Sequence, residues 1–288
     1  MSRITVAAVQ MRSTMDPARN LRDFEALVRE AAGKGARYIQ SPEMTGALVR
    51  DRKLLMQLIK PAESDPLVAR AAALATELGV HLHIGSTAIA RADGKVANRA
   101  FVFGPDGGLI ATYDKIHMFD VDLDNGESWR ESATYEPGRE AVVANLPFGR
   151  MGLAVCYDLR FPQLFREEAL AGAEMLTVPA AFTRQTGEAH WHVLLRARAI
   201  ENGAFVVASA QGGKHEDGRE TYGHSLIADP WGAVVAEADH DEPGVVVMEI
   251  DLAASAAARG KVPNLRNARE FGLRLADAGA GDDRRKAS

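Results

Sequence analysis

The only cysteine in the chain, Cys156, stands where a nucleophile could be presented. It follows the apolar run of residues 152–155 and precedes Pro162, so the pattern predicts a strand, a turn and then a helix. A thiol at such a turn lies close to helix N–H groups, whose partial positive charge favours a thiolate and can bind an oxyanion. The alternative is a buried cysteine that packs as a small hydrophobic side chain.

Two further residues, Glu43 and Lys115, lie at the ends of predicted strands. Glu43 follows a strand expected over residues 37–41, and Lys115 follows one expected over residues 109–113. In open α/β sheets the strand ends at one edge commonly line the binding site, so a carboxylate there could serve as a base. The alternatives are a surface glutamate that caps the next segment and a solvated lysine paired with Asp114.

Short apolar runs alternate with amphipathic stretches along the chain, which is typical of strands covered by helices. We predict strands at residues 4–11, 37–41, 80–85, 152–155, 175–178, 205–210, 224–228, 233–238 and 245–250. Helices are expected after Asn20 as N-cap, after Asp65 as N-cap up to Gly79, and over residues 162–171 and 188–202. Residues 100–103 and 109–113 flank a Gly-Pro-Asp-Gly-Gly turn and predict an antiparallel hairpin.

These elements form one continuous series. No linker rich in Pro, Gly or Ser divides it, so we predict a single α/β domain over residues 1–276. Residues 277–288 are polar and are expected to form a mobile tail. Residues 119–140 are irregular and rich in Asp, Glu, Gly and Ser, as expected either of an active-site loop or of an ordinary solvated loop.

The composition excludes several classes of protein. The 288 residues carry a formal net charge of −5, which leaves no basic surplus for binding nucleic acid. No apolar stretch approaches the roughly 18 residues of a membrane span, and the N-terminus lacks a signal-peptide pattern, so we expect no membrane partner and a cytoplasmic protein. One cysteine excludes an intramolecular disulfide and a multi-cysteine metal site.

Histidines offer little sign of a metal site in the sequence. His81 and His83 could share a strand face, whereas His190 and His192 would point apart on a helix. No carboxylate stands at matching ligand spacing. We therefore predict no metal and no cofactor.

The chemistry-bearing residues lie within segments that resemble the Glu, Lys and Cys blocks of the nitrilase superfamily. The segments are residues 41–43, 113–117 and 154–162, and the resemblance continues through 181–183, 186–187, 189–191, 195–202, 222–225 and 229–232. It covers nearly the whole chain to about residue 250. It implies a four-layer α-β-β-α sandwich in which Cys156 attacks, Glu43 is general base and then acid, and Lys115 stabilises the tetrahedral intermediate.

The resemblance also implies supporting residues. Glu131 matches the place of a second glutamate that supports the lysine, although a solvated loop acid is the alternative there. Lys115 and the backbone N–H of Tyr157 would form the oxyanion site. Because a free thiol is only a few per cent ionised at neutral pH, a nearby base or cation must activate Cys156.

The residues after the nucleophile subdivide the superfamily. Cys156-Tyr157-Asp158 is similar to the amidase branch, whereas nitrilases resemble Cys-Trp-Glu and carbamoyl-amide hydrolases resemble Cys-Asn-Asp. Residues 189–202 and 208–215 resemble deaminated glutathione amidases most, with omega-amidases as near neighbours. This implies hydrolysis of a non-peptide C–N amide bond in a small anionic substrate through a thioester. Other aliphatic amides, a nitrile, a carbamoyl amide, or a binding or scaffold protein without catalysis are the alternatives.

An anionic substrate needs local cations, since the net charge of the protein would not attract it. Candidate cations are Arg160, Arg184 and Lys214, and Thr183 and Thr186 could donate hydrogen bonds. Arg160 equally suits a role in bracing its loop through an acidic partner. The resemblance implies a homodimer or larger homo-oligomer, although the alanine-rich segment after residue 250 resembles the superfamily poorly.

Overall fold

The computed structural model describes residues 2–122, 126 and 128–275. Its strands are β1 (Arg3–Gln10), β2 (Tyr38–Gln40), β3 (His81–Ala90), β4 (Val96–Phe103), β5 (Leu109–Asp114), β6 (Asp120–Asp122), β7 (Ser128–Arg130), β8 (Val142–Leu146), β9 (Gly149–Leu153), β10 (Met175–Thr177), β11 (Phe205–Ala208), β12 (Gly212–Lys214), β13 (Glu220–Tyr222), β14 (Leu226–Ala228), β15 (Val234–Glu237) and β16 (Gly244–Asp251). Its α-helices are α1 (Pro17–Gly33), α2 (Arg52–Leu58), α3 (Pro66–Leu78), α4 (Pro162–Leu170), α5 (Arg184–Asn202) and α6 (Ala253–Lys261). The tail predicted at residues 277–288 lies outside the described residues.

The strands form two six-stranded sheets. The first has the order β16-β1-β2-β3-β4-β5 and the second has the order β15-β14-β11-β10-β9-β8. Neighbours β1, β2 and β3 run parallel, as do β9, β10 and β11, while the outer strands of each sheet are antiparallel. The parallel centre of each sheet is built from strand–helix–strand units, because parallel neighbours need a crossover.

Side chains of β1 alternate between two separate parts of the core. Val6 and Ala8 pack in the cluster that joins the two sheets, and Ala7 and Val9 pack against α1 and α3. On the other side, α4 and α5 contact the second sheet. The order of layers is therefore helix, sheet, sheet, helix, which confirms the predicted α-β-β-α sandwich. Among the described residues, no helix is both long and apolar enough to cross a membrane.

Local signals predicted some elements well. Helix α3 begins at Pro66 after Asp65, whose side chain accepts hydrogen bonds from Leu67 and Val68 N–H, and it ends at Gly79, where φ is 64°. Glycine adopts this left-handed conformation without a steric penalty. The hairpin of β4 and β5 is antiparallel as predicted.

The predicted start of α1 is wrong. The helix begins at Pro17, and Asp16 is its N-cap, with the side chain accepting a hydrogen bond of 2.9 Å from Ala18 N–H. Asn20 is instead buried in the first turns, where its amide bonds to Thr14 and to the Gly46 carbonyl. The contact with Gly46, 26 positions away, is one that a local pattern does not contain, and together with the bonds to Thr14 it outweighs the capping preference of asparagine.

The predicted irregular segment 119–140 contains a short ribbon. Strands β6 and β7 pair antiparallel, with Asp120 opposite Arg130, and a 3-10 turn over Glu131–Ala133 follows. Residues 123–125 and 127 lie outside the described part of this segment. The ribbon and turn place Trp129 and Glu131 beside the cavity described below.

Candidate active site

Glu43, Lys115 and Cys156 meet where strands of both sheets end. Glu43 lies just beyond β2, Lys115 directly follows β5, and Cys156 lies just beyond β9 of the second sheet. The Nζ atom of Lys115 lies 2.9 Å from Oε1 of Glu43, and the charges of both groups act on the buried Cys156 thiol. Relative exposures are only 4%, 2% and 7% for Glu43, Lys115 and Cys156. The three groups form one buried set.

Cys156 has an unusual backbone conformation. Its φ is 52°, in the left-handed region that non-glycine residues seldom occupy and that surrounding contacts must enforce. It opens a 3-10 turn over Cys156–Arg160, and its N–H donates a hydrogen bond of 2.9 Å to the Pro179 carbonyl. Oδ2 of Asp158 accepts a hydrogen bond of 2.9 Å from Val155 N–H, directly before the turn. These contacts hold the thiol in place.

The Glu43 carboxylate is fixed by donors on both oxygens. Oε1 accepts hydrogen bonds of 2.9 Å from Asn98 and from Lys115, and Oε2 accepts one of 2.9 Å from Ala181 N–H. Burial raises the pKa of Glu43, but the charge of Lys115 and these hydrogen bonds outweigh it, so the pKa is lowered. Glu43 is therefore ionised at neutral pH and can accept a proton.

Lys115 lies between two carboxylates. Its Nζ is 2.8 Å from Oε2 and 3.0 Å from Oε1 of Glu131, in addition to its contact with Glu43. Burial lowers the pKa of Lys115, but the negative charges of Glu131 and Glu43 outweigh it and hold the pKa well above its usual value. Lys115 therefore remains a cation that can stabilise a developing negative charge.

The state of the thiol differs from the expectation that a helix N-terminus favours the thiolate. Burial, followed by the negative charge of Glu43, raises the pKa of Cys156 well above its ordinary value. The turn after Cys156 is a short 3-10 turn, and α4 begins only at Pro162, so the helix contributes little at the sulfur. At rest, Cys156 is a neutral thiol beside an ionised carboxylate.

A cavity of about 260 Å³ opens above the three groups. Its lining includes the catalytic candidates Glu43, Lys115, Glu131, Cys156 and Tyr157, the two predicted threonines Thr183 and Thr186, and Met44, Val49, Arg50, Phe119, Ser128, Trp129, Arg130, Thr134, Tyr135, Ala181, Phe182 and Arg219. The structure thus brings together seven of the residues singled out in the sequence. Its volume suits a small substrate.

The three cations singled out in the sequence lie outside this lining, among the residues the structure describes. The Arg160 guanidinium contacts His190 Nδ1 at 3.2 Å and lies 5.6 Å from the Phe182 ring centroid. Arg184 forms ion pairs with acidic side chains, Glu188 and Asp241. Lys214, on β12, lines a separate groove with Arg12 and Arg19. Because these three cations do not line the cavity, other positively charged side chains are better placed to bind the substrate.

Two arginines that the sequence did not single out flank Trp129 at the cavity. The guanidinium carbons of Arg50 and Arg219 lie 4.7 Å and 4.8 Å from the ring centroid, within cation–π distance. Arg219 also pairs with Asp217 at 2.9 Å. Arg50 follows Glu43 by seven positions, and Arg219 lies between β12 and β13. Neither belongs to a segment that carries the resemblance, so only the folded chain reveals them.

A buried thiol paired with a carboxylate and a lysine, in an α-β-β-α sandwich, defines a cysteine hydrolase of carbon–nitrogen bonds other than peptide bonds. A sequence model for the carbon-nitrogen hydrolase family matches residues 5–260, and the chain belongs to this family, within the nitrilase superfamily. The sequence prediction of family and enzyme class is therefore confirmed.

Named relatives extend over most of the chain. A deaminated glutathione amidase of Synechocystis sp. is 37% identical over 263 residues, covering 91% of this chain and 96% of its own. The human deaminated glutathione amidase is 42% identical over 253 residues, covering 86% and 76%. The crystal structure of the C. elegans NitFhit protein superposes with a TM-score of 0.87 at 33% identity, covering 93% of this chain and 66% of that longer chain.

Proposed function

We propose that this enzyme hydrolyses the amide bond of a small carboxylate-bearing substrate of the deaminated glutathione type. The observation that carries the proposal is the buried contact of Lys115 with Glu43 and Glu131 beside the Cys156 thiol. The relatives named deaminated glutathione amidase support the substrate class. Such a substrate is an α-ketoglutaryl amide with carboxylates at both ends, so its recognition needs cations around the amide.

The first half of the reaction forms a thioester. Glu43 takes the proton of Cys156, and the sulfur attacks the carbonyl carbon of the amide. The oxyanion receives stabilisation from Lys115 and from the N–H of Tyr157. Because the N–H of Cys156 is already bonded to the Pro179 carbonyl, it is not available for that purpose. Glu43 then gives its proton to the leaving nitrogen, the C–N bond breaks, and the amine departs.

The second half of the reaction uses the same groups with water. Glu43 accepts a proton from water, and the hydroxyl oxygen attacks the thioester carbon. The second oxyanion occupies the same site beside Lys115. The C–S bond then breaks, the acid product leaves, and the proton held by Glu43 returns to the thiol. The ion pairs of Glu131 with Lys115 keep the cation in place through both halves.

The cavity arginines are the groups we assign to the substrate carboxylate, with Thr183 and Thr186 as hydrogen-bond donors. Arg219 is favoured because its side chain is only 16% exposed and is held by Asp217 and by the face of Trp129, which orients the planar guanidinium. Arg50 also contacts the Trp129 ring, at 4.7 Å from its centroid. Arg219 shares its charge with Asp217, and Arg50 adds a second positive charge to the lining of the cavity.

The decisive experiment measures α-ketoglutarate release from deaminated glutathione and from α-ketoglutaramate, beside ammonia release from neutral aliphatic amides and nitriles. We expect the wild type to prefer deaminated glutathione and Cys156→Ala to release none. Arg219→Gln is expected to raise KM for deaminated glutathione by about tenfold or more, the worth of a hydrogen bond between charged groups, and to leave turnover of a neutral amide unchanged.

Arg184→Gln is the matched control, because it removes the same charge from a residue outside the cavity. It should leave both substrates unaffected. Ammonia from neutral amides or nitriles alone would overturn the substrate but keep the three catalytic residues. Full activity of Cys156→Ala would overturn the mechanism, and inactivity of the wild type on every substrate would favour a binding protein on this fold.

We also propose that the enzyme is a cytoplasmic homodimer. Val193 and Ile200 of α5 are 67% and 53% exposed, and Trp231 in the turn between β14 and β15 is 62% exposed, which is costly for apolar side chains in a monomer. The cytoplasmic location is supported by the single cysteine, because a chain that forms no intramolecular disulfide does not depend on an oxidising compartment. Sedimentation at micromolar concentration should give twice the mass of the chain, and a monomer alone would contradict the dimer.

A further inference from the structure

Three side chains that the active site does not use converge at the edge of the second sheet. His192 lies on α5, His224 precedes β14, and Glu237 ends β15. Nε2 of His192 lies 2.7 Å and Nδ1 of His224 lies 3.0 Å from the same oxygen, Oε1 of Glu237. The three potential ligand atoms all lie within 4.8 Å of one another. We call this group the two-histidine cluster.

The donor set is one that zinc-like ions prefer. Two imidazoles and a carboxylate, with water in the remaining position, make a common three-residue zinc site. Bonds of about 2.0–2.1 Å in a tetrahedron place neighbouring ligand atoms roughly 3.3 Å apart, so small side-chain rotations would admit an ion. The side chains of His192, His224 and Glu237 are 32%, 23% and 26% exposed, so an ion can reach them from solvent.

His224 is held in place independently of its two partners. Its φ is 57°, a left-handed conformation that costs free energy for a residue other than glycine. Its carbonyl accepts a hydrogen bond of 2.8 Å from the Trp191 indole, and its ring stacks on Tyr222 with centroids 4.3 Å apart. The fold thus maintains a strained backbone that directs this imidazole towards His192 and Glu237, which is a preorganised ligand arrangement.

We propose that the two-histidine cluster binds one divalent transition-metal ion with the coordination preferences of Zn²⁺. The ion would link α5 to the antiparallel hairpin of β14 and β15, which follows the helix by more than 20 positions in the sequence. Metal-bound histidine is the neutral imidazole, so the ligand set of two imidazoles and one carboxylate carries a single negative charge, which complements a divalent cation. Because the ligands converge only in the folded chain, binding should stabilise the folded state against unfolding.

The test titrates metal-free protein with Zn²⁺ and measures stoichiometry by calorimetry and the melting temperature by thermal unfolding. We expect one bound ion per chain and a rise in Tm for the wild type. His192→Gln keeps an N–H donor for Glu237, and His224→Asn retains a residue type that tolerates left-handed φ. Each variant should weaken zinc binding by at least about tenfold and remove the rise in Tm.

Two controls separate this site from other zinc-binding groups. Cys156→Ala removes the only thiol and must still bind the ion, because the catalytic cysteine is another plausible ligand. His190→Gln removes a histidine from the same helix but outside the cluster, and it must behave as the wild type. The proposal fails if the wild type binds no zinc, if both cluster variants bind as tightly as the wild type, or if either control loses the ion.

Discussion

The Tyr113 hydroxyl donates a hydrogen bond of 2.7 Å to Oδ2 of Asp158, which joins the strand leading to Lys115 with the turn that carries Cys156. The same carboxylate accepts hydrogen bonds from Val155 N–H at 2.9 Å and from His117 N–H at 3.0 Å. Asp158 is fully buried. One carboxylate therefore sets the distance between the lysine and the thiol, although it touches neither reacting atom.

Tyr113→Phe should lower both stability and turnover. The change removes a buried donor to a charged acceptor, a bond worth about 1.5–3 kcal/mol, and frees the Lys115 segment to shift relative to the thiol. Urea unfolding and kcat measure the two effects. Tyr38→Phe is the matched control, because it removes a buried hydroxyl bonded to His83 Nδ1 at 2.8 Å, between the sheets. Equal loss of kcat in both variants would refute a positioning role for Tyr113.

Glu43→Gln should lower the pKa of Cys156 while it abolishes most activity. Burial and then the charge of Glu43 raise that pKa in the wild type, and the variant removes the second cause but keeps the cation of Lys115. Loss of the general base should reduce kcat by about 10² to 10⁴. Thiolate absorbance against pH reports on Cys156 alone, since the chain has one cysteine. Cys156→Ala gives the blank, and an unchanged thiol titration would contradict the proposed electrostatics.

Local sequence signals predicted the elements whose causes are local. Asp65, Pro66 and Gly79 determine the limits of α3 by capping and backbone preference, so that helix was predicted to the residue. The wrong cap at Asn20 has the opposite cause, because its amide bonds to the Gly46 carbonyl, 26 positions away, as well as to Thr14. Helices α2 and α6, strand β8 and the ribbons β6–β7 and β12–β13 lack strong periodic patterns and were not predicted.

The chemistry of the site divides in the same way. Glu43, Lys115 and Cys156 stand at strand ends, which a pattern can reveal. The raised pKa of Cys156 depends on burial and on the distance to Glu43, which no spacing contains. His192 was compared in the sequence only with His190, whereas its partners in the fold lie 32 and 45 positions further along, at His224 and Glu237.

Glu131→Gln should move the alkaline limit of activity to lower pH. The negative charge of Glu131 is the largest cause that raises the pKa of Lys115 against burial, so its removal lowers that pKa. The lysine cation is then lost at a lower pH, and kcat/KM falls sooner as pH rises. The acid limit of activity is set by Glu43, whose pKa is lowered from the ordinary glutamate value of 4.5. We expect this limit to remain below pH 4.5 in the variant.

The measurement is a profile of kcat/KM against pH for both proteins. Glu136→Gln serves as the matched control, since Glu136 lies in the same loop but pairs with Lys95 at the surface. Its profile should coincide with that of the wild type. Coincident alkaline limits for Glu131→Gln and the wild type would show that Glu131 does not support the charge of Lys115.

Glu168→Gln should stabilise the enzyme at neutral pH. Glu168, on α4, is only 1% exposed, and burial followed by the charge of Asp158 raises its pKa well above 4.5. The folded state thus keeps a proton that the unfolded chain releases above pH 4.5, so stability falls by about 1.4 kcal/mol per pH unit until the folded group ionises. The neutral amide of similar shape removes this contribution.

Urea unfolding of the wild type and Glu168→Gln at a series of pH values tests this argument. The free energy of unfolding of the variant should fall less steeply from pH 5 upward, by the slope of one proton. The matched control is Glu167→Gln, because the neighbouring Glu167 is exposed on the same helix, and its slope should follow that of the wild type. Parallel curves for the wild type and Glu168→Gln would mean that Glu168 is ionised in the folded enzyme and that a buried partner compensates its charge.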